Sequence, residues 1–226
     1  MGPRNTAVIL AAGQSRRMGA GTNKVYLEVA GRPLLSYALQ AFAASSLIDQ
    51  VVLVVAVEEE GSAYSLVEGL SKEVKIVHGG RRRQDSAFAG IQAAAGEIVL
   101  IHDAARPFPS LPLIHRVIRG AQEYGACVPV IPVVDTLRYR GENGLLLPTT
   151  VDRERLLQIQ TPQGFQRSVL DRCLRETLTI PCSDDAAAVL TCGVPVWTVA
   201  GELTNMKVTT KEDLRVAETL ATALVH

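Results

Sequence analysis

Four short apolar runs restrict the folds open to this chain. Residues 7–10 (Ala-Val-Ile-Leu), 51–57 and 98–101 are apolar throughout, and 74–77 breaks its run only at Lys75. Strands with no polar face are buried on both sides, as in a parallel sheet covered by helices. Helical signals fill the intervals. Pro33 fits a first helical position ahead of the stripe Leu34, Leu35, Ala38, Leu39 and Phe42. A second helix is expected around 62–70. Asp85 or Ser86 suits the cap of a third, running through Ala95 to a stop at Gly96. Ser110 caps a fourth, with Pro112 in its first turn and Tyr124-Gly125 at its end. Later helices are read over 167–177, over 184–192 behind a Ser183 cap, and after the capping-box pattern Thr209-Thr-Lys-Glu212. Residues 195–199 form a further strand. This alternation predicts an α/β chain with a doubly wound, mostly parallel sheet, occupying 1–226 as one domain.

Two segments break the rhythm. Residues 126–134 are apolar but hold Pro129 and Pro132, so that strand is expected to be interrupted or near an edge. Residues 135–140 and 145–153 flank Gly141-Glu-Asn-Gly144, and Asn143-Gly144 is a hairpin-turn signal. Ribbons this polar cannot bury both faces alone. A β-hairpin arm over 135–153 that projects to a second subunit is expected, with a solvated hairpin as the alternative.

Bulk properties exclude some functions. Lys and Arg number 23, as do Asp and Glu, so the formal charge is zero. That balance gives no general attraction to nucleic acid or to an anionic membrane. The 4% aromatic content argues against a base-stacking strand binder. Cys127, Cys173, Cys182 and Cys192 match no zinc spacing, and Cys127 reads as a buried thiol. With no signal peptide and no apolar run near the length of a membrane span, the cytoplasm is the expected compartment.

Ligands of such sheets bind beyond the carboxyl ends of strands, and three of these ends carry unusual loops. After Leu10 come Ala11-Ala-Gly13, then Arg16, Arg17 and Lys24. Small residues let backbone N–H groups approach a ligand, and the cations that follow can neutralise it. The spacing is not that of a Walker loop. Nor is it a dinucleotide fingerprint, because Gly19-Ala-Gly21 comes too late after the strand. After Val77 come Gly79-Gly80, then Arg81, Arg82 and Arg83, with Ser86 at a helix start that favours anions. After Ile101 come His102, Asp103 and Arg106. A lone carboxylate at a strand end can hold a divalent cation bound to phosphates. His78 and His102 lack a second histidine at metal spacing and read as structural. No Ser-His-Asp set or nucleophile elbow stands out. Cations, glycines and one placed acid suit phosphoryl or nucleotidyl transfer, where catalysis is mostly positioning and charge neutralisation.

Leu10-Ala-Ala-Gly13, Arg17-Met-Gly19 and Lys24 resemble the signature of sugar-nucleotide-type nucleotidyltransferases, which have a Rossmann-like fold. Further motifs narrow the resemblance: His102-Asp-Ala-Ala-Arg-Pro107, Thr150-Val-Asp-Arg153, Thr161-Pro-Gln163 and Asn205-Met-Lys-Val-Thr209. Over nearly its whole length the chain resembles the 2-C-methyl-D-erythritol 4-phosphate cytidylyltransferases of the non-mevalonate isoprenoid pathway. The resemblance implies transfer of a cytidylyl group from CTP to methylerythritol phosphate, with release of pyrophosphate. It implies Mg²⁺ or another divalent cation as cofactor, and a homodimer joined through the arm. Arg17 and Lys24 would stabilise charge on the triphosphate. Ala11, Ala12, Gly13, Gly80, Ser86 and Ala104 would line the cytidine site, with Asp103 beside the metal and the ribose-phosphate region. Thr136 and Arg153 would hold the polyol phosphate in the other subunit's site, and Arg106 and Thr161 would lie with the substrate. Lys207 would steer the two phosphates together.

The chain departs from the family where Thr204 stands for a frequent acidic residue, and again at Arg81, where only the backbone is expected to serve. Ribitol 5-phosphate cytidylyltransferases are the nearest alternative; Ala105 and the Thr150-Val-Asp-Arg153 segment favour methylerythritol phosphate. A non-catalytic nucleotide-binding module and a nucleic-acid binder through Arg81, Arg82 and Arg83 are the readings from other classes.

Overall fold

The computed structural model describes residues 5–13 and 23–225. Strand β1 (Asn5–Leu10) is followed by a small antiparallel pair, β2 (Glu28–Val29) and β3 (Arg32–Pro33), and by helix α1 (Leu34–Ala44). Next come β4 (Gln50–Val55), α2 (Glu60–Val67), β5 (Val74–His78), α3 (Arg83–Ala93) and β6 (Ile98–Asp103). After α4 (Leu111–Tyr124) and β7 (Ala126–Pro132), the chain forms the ribbon of β8 (Arg138–Arg140) and β9 (Leu146–Thr150). It continues through β10 (Leu157–Ile159), β11 (Gln163–Gln166), α5 (Arg167–Glu176), α6 (Asp185–Thr191), β12 (Trp197–Ala200) and α7 (Lys211–Val225).

Strands β5, β4, β1 and β6 lie side by side in parallel. Strand β11 lies antiparallel between β6 and β7, β10 pairs antiparallel with β7, and β12 runs parallel to β7. The chain works outward from β1 to β4 and β5, then crosses to β6 on the other side of β1. That reversal opens a crevice at the carboxyl ends of β1 and β6. Alternate residues of these strands feed two cores, which is why the runs show no polar face. Ala7, Ile9, Leu53 and Leu100 pack with α1 and α4 on one side, while Val8, Val52, Val54 and Ile101 pack with α3, α5 and α6 on the other. Cys127 is fully buried, and burial pushes its thiol up to about 11.

Several expectations shift. Strand β11 was not foreseen, because Gln163-Gly-Phe-Gln166 is short and shows no alternation. Gly164 makes its central place possible, since a Cβ there would lie 2.7 Å from Val117 Cγ1 on α4. Strand β7, as expected, lies near an edge, with β12 on one side and β10 and β11 on the other. The Pro129 carbonyl accepts from Gln160 N–H at 2.8 Å, where the chain passes between β10 and β11. Pro33 precedes α1 instead of opening it, because the β2–β3 pair holds it extended, with ψ 136°. Helix α2 starts at Glu60, ahead of the expected 62. Helix α3 starts at Arg83 because Asp85 caps it from within, accepting Arg82 N–H at 3.1 Å. Asp184, not Ser183, caps α6, accepting from Ala187 N–H at 3.0 Å. The box that opens α7 is Thr210 with Asp213, one residue along from the expected pair, joined by bonds of 2.8 and 3.1 Å. Ser110 caps α4 as expected, accepting Leu113 N–H at 3.1 Å, and Gly125 ends it at φ 82°.

The ribbon is a two-stranded sheet of its own, with Arg138 opposite Thr150 and Arg140 opposite Leu146. Asn143 and Gly144 take φ values of 53° and 82°, the left-handed region that favours this dipeptide.

Candidate active site

A cleft of about 540 Å³ is lined by residues that leave β1, β5 and β6, among them Ala12, Lys24, Gly80 and Asp103, and by Lys207 from the segment between β12 and α7. Strand β1 keeps its sheet bonding one residue past Leu10, with Ala11 N–H donating to Val54 O at 2.7 Å. The chain therefore enters the cleft at Ala12 and Gly13. Asn23 ties the returning chain to this point. Its Nδ2 donates to Ala11 O at 2.7 Å and to Glu59 Oε2 at 3.2 Å, and its Oδ1 accepts from Val25 N–H. The clamp starts a short helical turn at Lys24 and delivers that residue to the cleft wall. Arg16 and Arg17 lie outside the described residues.

The glycine pair after β5 has a steric cause. A Cβ on Gly79 would lie 2.5 Å from Ala12 Cβ, and one on Gly80 would lie 2.3 Å from Asp85 Cβ. Glycine at 79 lets this loop lie against the β1 exit, and glycine at 80 lets it lie against the first turn of α3. Gly80 N–H donates to Ser86 Oγ at 3.2 Å, and that hydroxyl donates to Arg82 O at 3.3 Å. Ser86 thus shapes the loop from behind. The three arginines all line the cleft but differ in what holds them. Arg82 is held by Asp85 and by Leu178 O, and Arg83 turns inward to Asp103 and Asp185.

Asp103 closes β6 with a side chain only 13% exposed. Arg83 Nε donates to its Oδ1 at 2.9 Å, and Lys207 Nζ donates to its Oδ2 at 2.6 Å. Burial pushes its pKa up, but the two cations outweigh burial and hold the carboxyl well below the usual carboxylate range. Arg83 Nη2 also meets Asp185 Oδ2 at 2.8 Å, an ion pair that lies off the line of a hydrogen bond. Burial raises the pKa of Asp185 against the pull of Arg83.

Behind Asp103, His102 Nε2 lies 2.8 Å from Arg106 O and its Nδ1 lies 3.1 Å from Thr161 Oγ1. A carbonyl only accepts, so Nε2 carries the proton and Nδ1 accepts from the threonine hydroxyl. The hydroxyl oxygen in turn accepts Asp103 N–H at 3.1 Å. Burial pushes His102 down to about 4, so the ring is neutral at pH 7 and wholly engaged, which is the structural role its lone position implied. Asn205 is held by similar bonds: its Nδ2 donates to Thr161 O at 2.8 Å, and its main-chain carbonyl accepts from Arg106 Nη1 at 2.7 Å. With Val208 N–H on Ala105 O at 2.8 Å, these bonds fix the backbone on both sides of Lys207.

The fold therefore brings Ala11, Ala12, Gly13, Lys24, Gly80, Ser86, Asp103 and Lys207 to one cleft. Ala104 does not join them. It is fully buried, and its N–H is spent on Leu10 O at 3.0 Å, inside the sheet. Arg106 and Thr161 also do not line the cleft; they brace Asn205 and Asp103 from behind. Thr136 and Arg153 lie exposed on or beside the ribbon, outside the cleft, with Arg153 Nη1 donating to Val134 O. Three residues were missed. Asn23 sat unassigned beside Lys24, Arg83 was hidden in a triplet, and Asp185 carried no local signal.

Among the described residues, no three His, Cys, Asp or Glu side chains gather as a metal cage. Asp103 is the one carboxylate among the residues that line the cleft. Mg²⁺ takes one or two carboxylates and fills its octahedron from phosphates and water. The donor set therefore fits a metal that arrives with a triphosphate and does not fit one held by protein alone.

The family description 2-C-methyl-D-erythritol 4-phosphate cytidylyltransferase matches residues 5–223. The chain is 42% identical over 224 residues to the protein of that name from Pelotomaculum thermopropionicum, covering 96% of this chain and 94% of the other. It is 40% identical over 219 residues to that of Geobacillus thermodenitrificans, covering 95% of each. The crystal structure of 2-C-methyl-D-erythritol 4-phosphate cytidylyltransferase from Thermus thermophilus is similar with a TM-score of 0.79 at 36% identity, covering 95% of this chain and 98% of that one. Among the described residues, no helix is long and apolar enough to cross a membrane.

Proposed function

This chain belongs to the 2-C-methyl-D-erythritol 4-phosphate cytidylyltransferase family, and on that premise we propose how its residues share the reaction. It transfers the cytidylyl group of CTP to 2-C-methyl-D-erythritol 4-phosphate, giving 4-diphosphocytidyl-2-C-methyl-D-erythritol and pyrophosphate for isoprenoid precursor synthesis. The proposed division of labour rests on one observation: the small-residue exits of β1 and β5 share a cleft with Lys24, Asp103 and Lys207.

The nucleophile is an oxygen of a phosphate monoester, whose second pKa is near ~6, so it is largely dianionic at pH 7 without a general base. His102, the nearest candidate base by sequence, is buried and fully bonded. The obstacle is repulsion between two phosphates. At an effective dielectric of about 20, a close unit-charge pair is worth roughly 4 kcal/mol before desolvation. Lys24, Lys207 and Arg17 supply the opposing charge. Ala11, Ala12, Gly13 and Gly80 offer backbone to the nucleotide, and Ser86 holds the Gly80 loop in place. Lys207 leaves Asp103 for the phosphates as they enter. Mg²⁺, when bound, neutralises and orients the triphosphate, and Asp103 is the side chain that would hold it.

Thr136 and Arg153 act in the cleft of a second copy of this chain, so the active form is a homodimer joined through the ribbon. Their exposure, and the exposed leucines beside them, support this reading. The enzyme works in the cytoplasm; four free cysteines suit a reducing compartment. Its zero formal charge favours neither a nucleic acid nor a membrane partner. Pyrophosphate release from CTP, with methylerythritol phosphate or ribitol 5-phosphate as acceptor, tests the function. Turnover is expected with the former in the presence of Mg²⁺. Faster use of ribitol 5-phosphate, or binding of CTP with no turnover, overturns the reading.

A further inference from the structure

Asp103 divides its two oxygens between unlike cations. Lys207, on Oδ2, ends a flexible stem with a side chain 40% exposed. Arg83, on Oδ1, is held at both ends of its guanidinium, by Asp103 at Nε and by Asp185 at Nη2. Asp185 is itself 1% exposed. It opens α6, and Gln163 on β11 grips that end of the helix. Gln163 Nε2 donates to Asp184 Oδ2 at 2.7 Å, and its Oε1 accepts Ala186 N–H at 3.0 Å. Gln163 lies opposite Ile101 on β6, two residues before Asp103. The anchor and the acid it serves are therefore set by the same pair of strands.

An arginine facing one carboxylate tends to engage both of its oxygens in a parallel fork. Here the second carboxylate holds the far end of the guanidinium away from that arrangement. Asp185 does not line the cleft, so its effect on the reaction runs through Arg83 and Asp103.

We propose that Asp185 is a positioning residue for cytidylyl transfer: it turns Arg83 so that this guanidinium bonds only Oδ1 of Asp103, leaving Oδ2 to trade Lys207 for the metal that accompanies the incoming phosphates. The proposal rests on the cytidylyltransferase reading above. It gives the buried Arg83–Asp185 pair a use beyond stability, which a buried ion pair does not by itself guarantee.

A double-mutant cycle on kcat tests it, using Asp185→Asn, Asp103→Asn and the double variant, with calorimetric CTP binding measured over a range of Mg²⁺ concentrations. Asp185→Asn is expected to lower kcat about tenfold or more, the scale of a small misplacement at a reacting centre. It should raise the Mg²⁺ concentration needed for half-maximal CTP binding and leave KM for methylerythritol phosphate unchanged. In the Asp103→Asn background it should have no further effect on either quantity. Equal losses in both backgrounds would mean a purely structural role and overturn the proposal. If melting shows that Asp185→Asn does not fold, Arg83→Lys carries the same cycle, because lysine keeps the charge but cannot span both carboxylates. An inactive wild type would instead count against the functional reading.

Discussion

The cleft and the ribbon are built on opposite terms. Around the cleft, charges are answered within the chain: Asp103 by Arg83 and Lys207, Arg83 by Asp185, and Arg82 by Asp85. On the ribbon, Leu145 and Leu146 are 70% and 71% exposed, and Tyr139 stands out beside them. A lone two-stranded ribbon is at best marginally stable in water, and contiguous exposed apolar residues mark a docking surface. The contrast teaches that damage at the cleft should act in the subunit that carries it. Damage on the ribbon should act in its neighbour.

The largest expected effect is at the cleft. Lys24→Ala should lower turnover by roughly 10²-fold or more, as on loss of an oxyanion-stabilising group, with an unchanged melting temperature. Near-normal turnover would remove Lys24 from the reaction. Beneath the cleft, His102 ties stability to pH. Burial holds its folded pKa at about 4 against an ordinary value of 6.5, so the unfolded chain binds more protons between these values. The contribution of the neutral ring is fully present above the higher pKa and is lost as pH falls toward the lower one, on the order of 3 kcal/mol. Denaturant titrations from pH 7 to 4 should show that slope, and His102→Gln should flatten it. A slope unchanged in the variant would contradict the account.

A packing test separates the two regions. Gly90 lies under the cleft, where an added Cβ would meet Val8 Cγ1 at 2.3 Å. Gly90→Ala should cost about 1–3 kcal/mol in urea unfolding, the range for overpacking a filled core. Leu146→Ser on the ribbon should leave the unfolding of an isolated subunit within about 0.5 kcal/mol, as for surface substitutions, while weakening association in sedimentation. The reverse pattern would break the comparison. The smallest effect is specific to the acceptor. Arg153→Ala should raise KM for methylerythritol phosphate about tenfold, the worth of one charge-assisted bond, with CTP binding unchanged in calorimetry.

The central sheet was legible because 51–57 and 98–101 carry no polar face, and both ends of α4 were legible in Ser110 and Gly125. The ribbon turn was legible in Asn143-Gly144, which satisfies positive φ at both positions. Strand β11 was not, because burial on both faces leaves no period in four residues. The loop motifs located the cleft, whereas Ala104, next to Asp103 in sequence, is buried with its N–H bonded to Leu10 O. Thr161 and Arg106 stand in site motifs and act by bracing other residues. The Arg83–Asp185 pair joins residues far apart in sequence, so nothing local marks it.

The central claim is that each site combines the body of one subunit with the ribbon of another. Mixing Lys24→Ala with Arg153→Ala protein under subunit exchange, at methylerythritol phosphate well below KM so that both parents are slow, tests it most directly. In a mixed dimer one site carries both lesions, and the other pairs an intact Lys24 with an intact Arg153. With random exchange in a two-fold symmetric dimer, pyrophosphate release should recover to about one quarter of the wild-type rate. Mixed dimers that form and show no recovery would contradict the shared site.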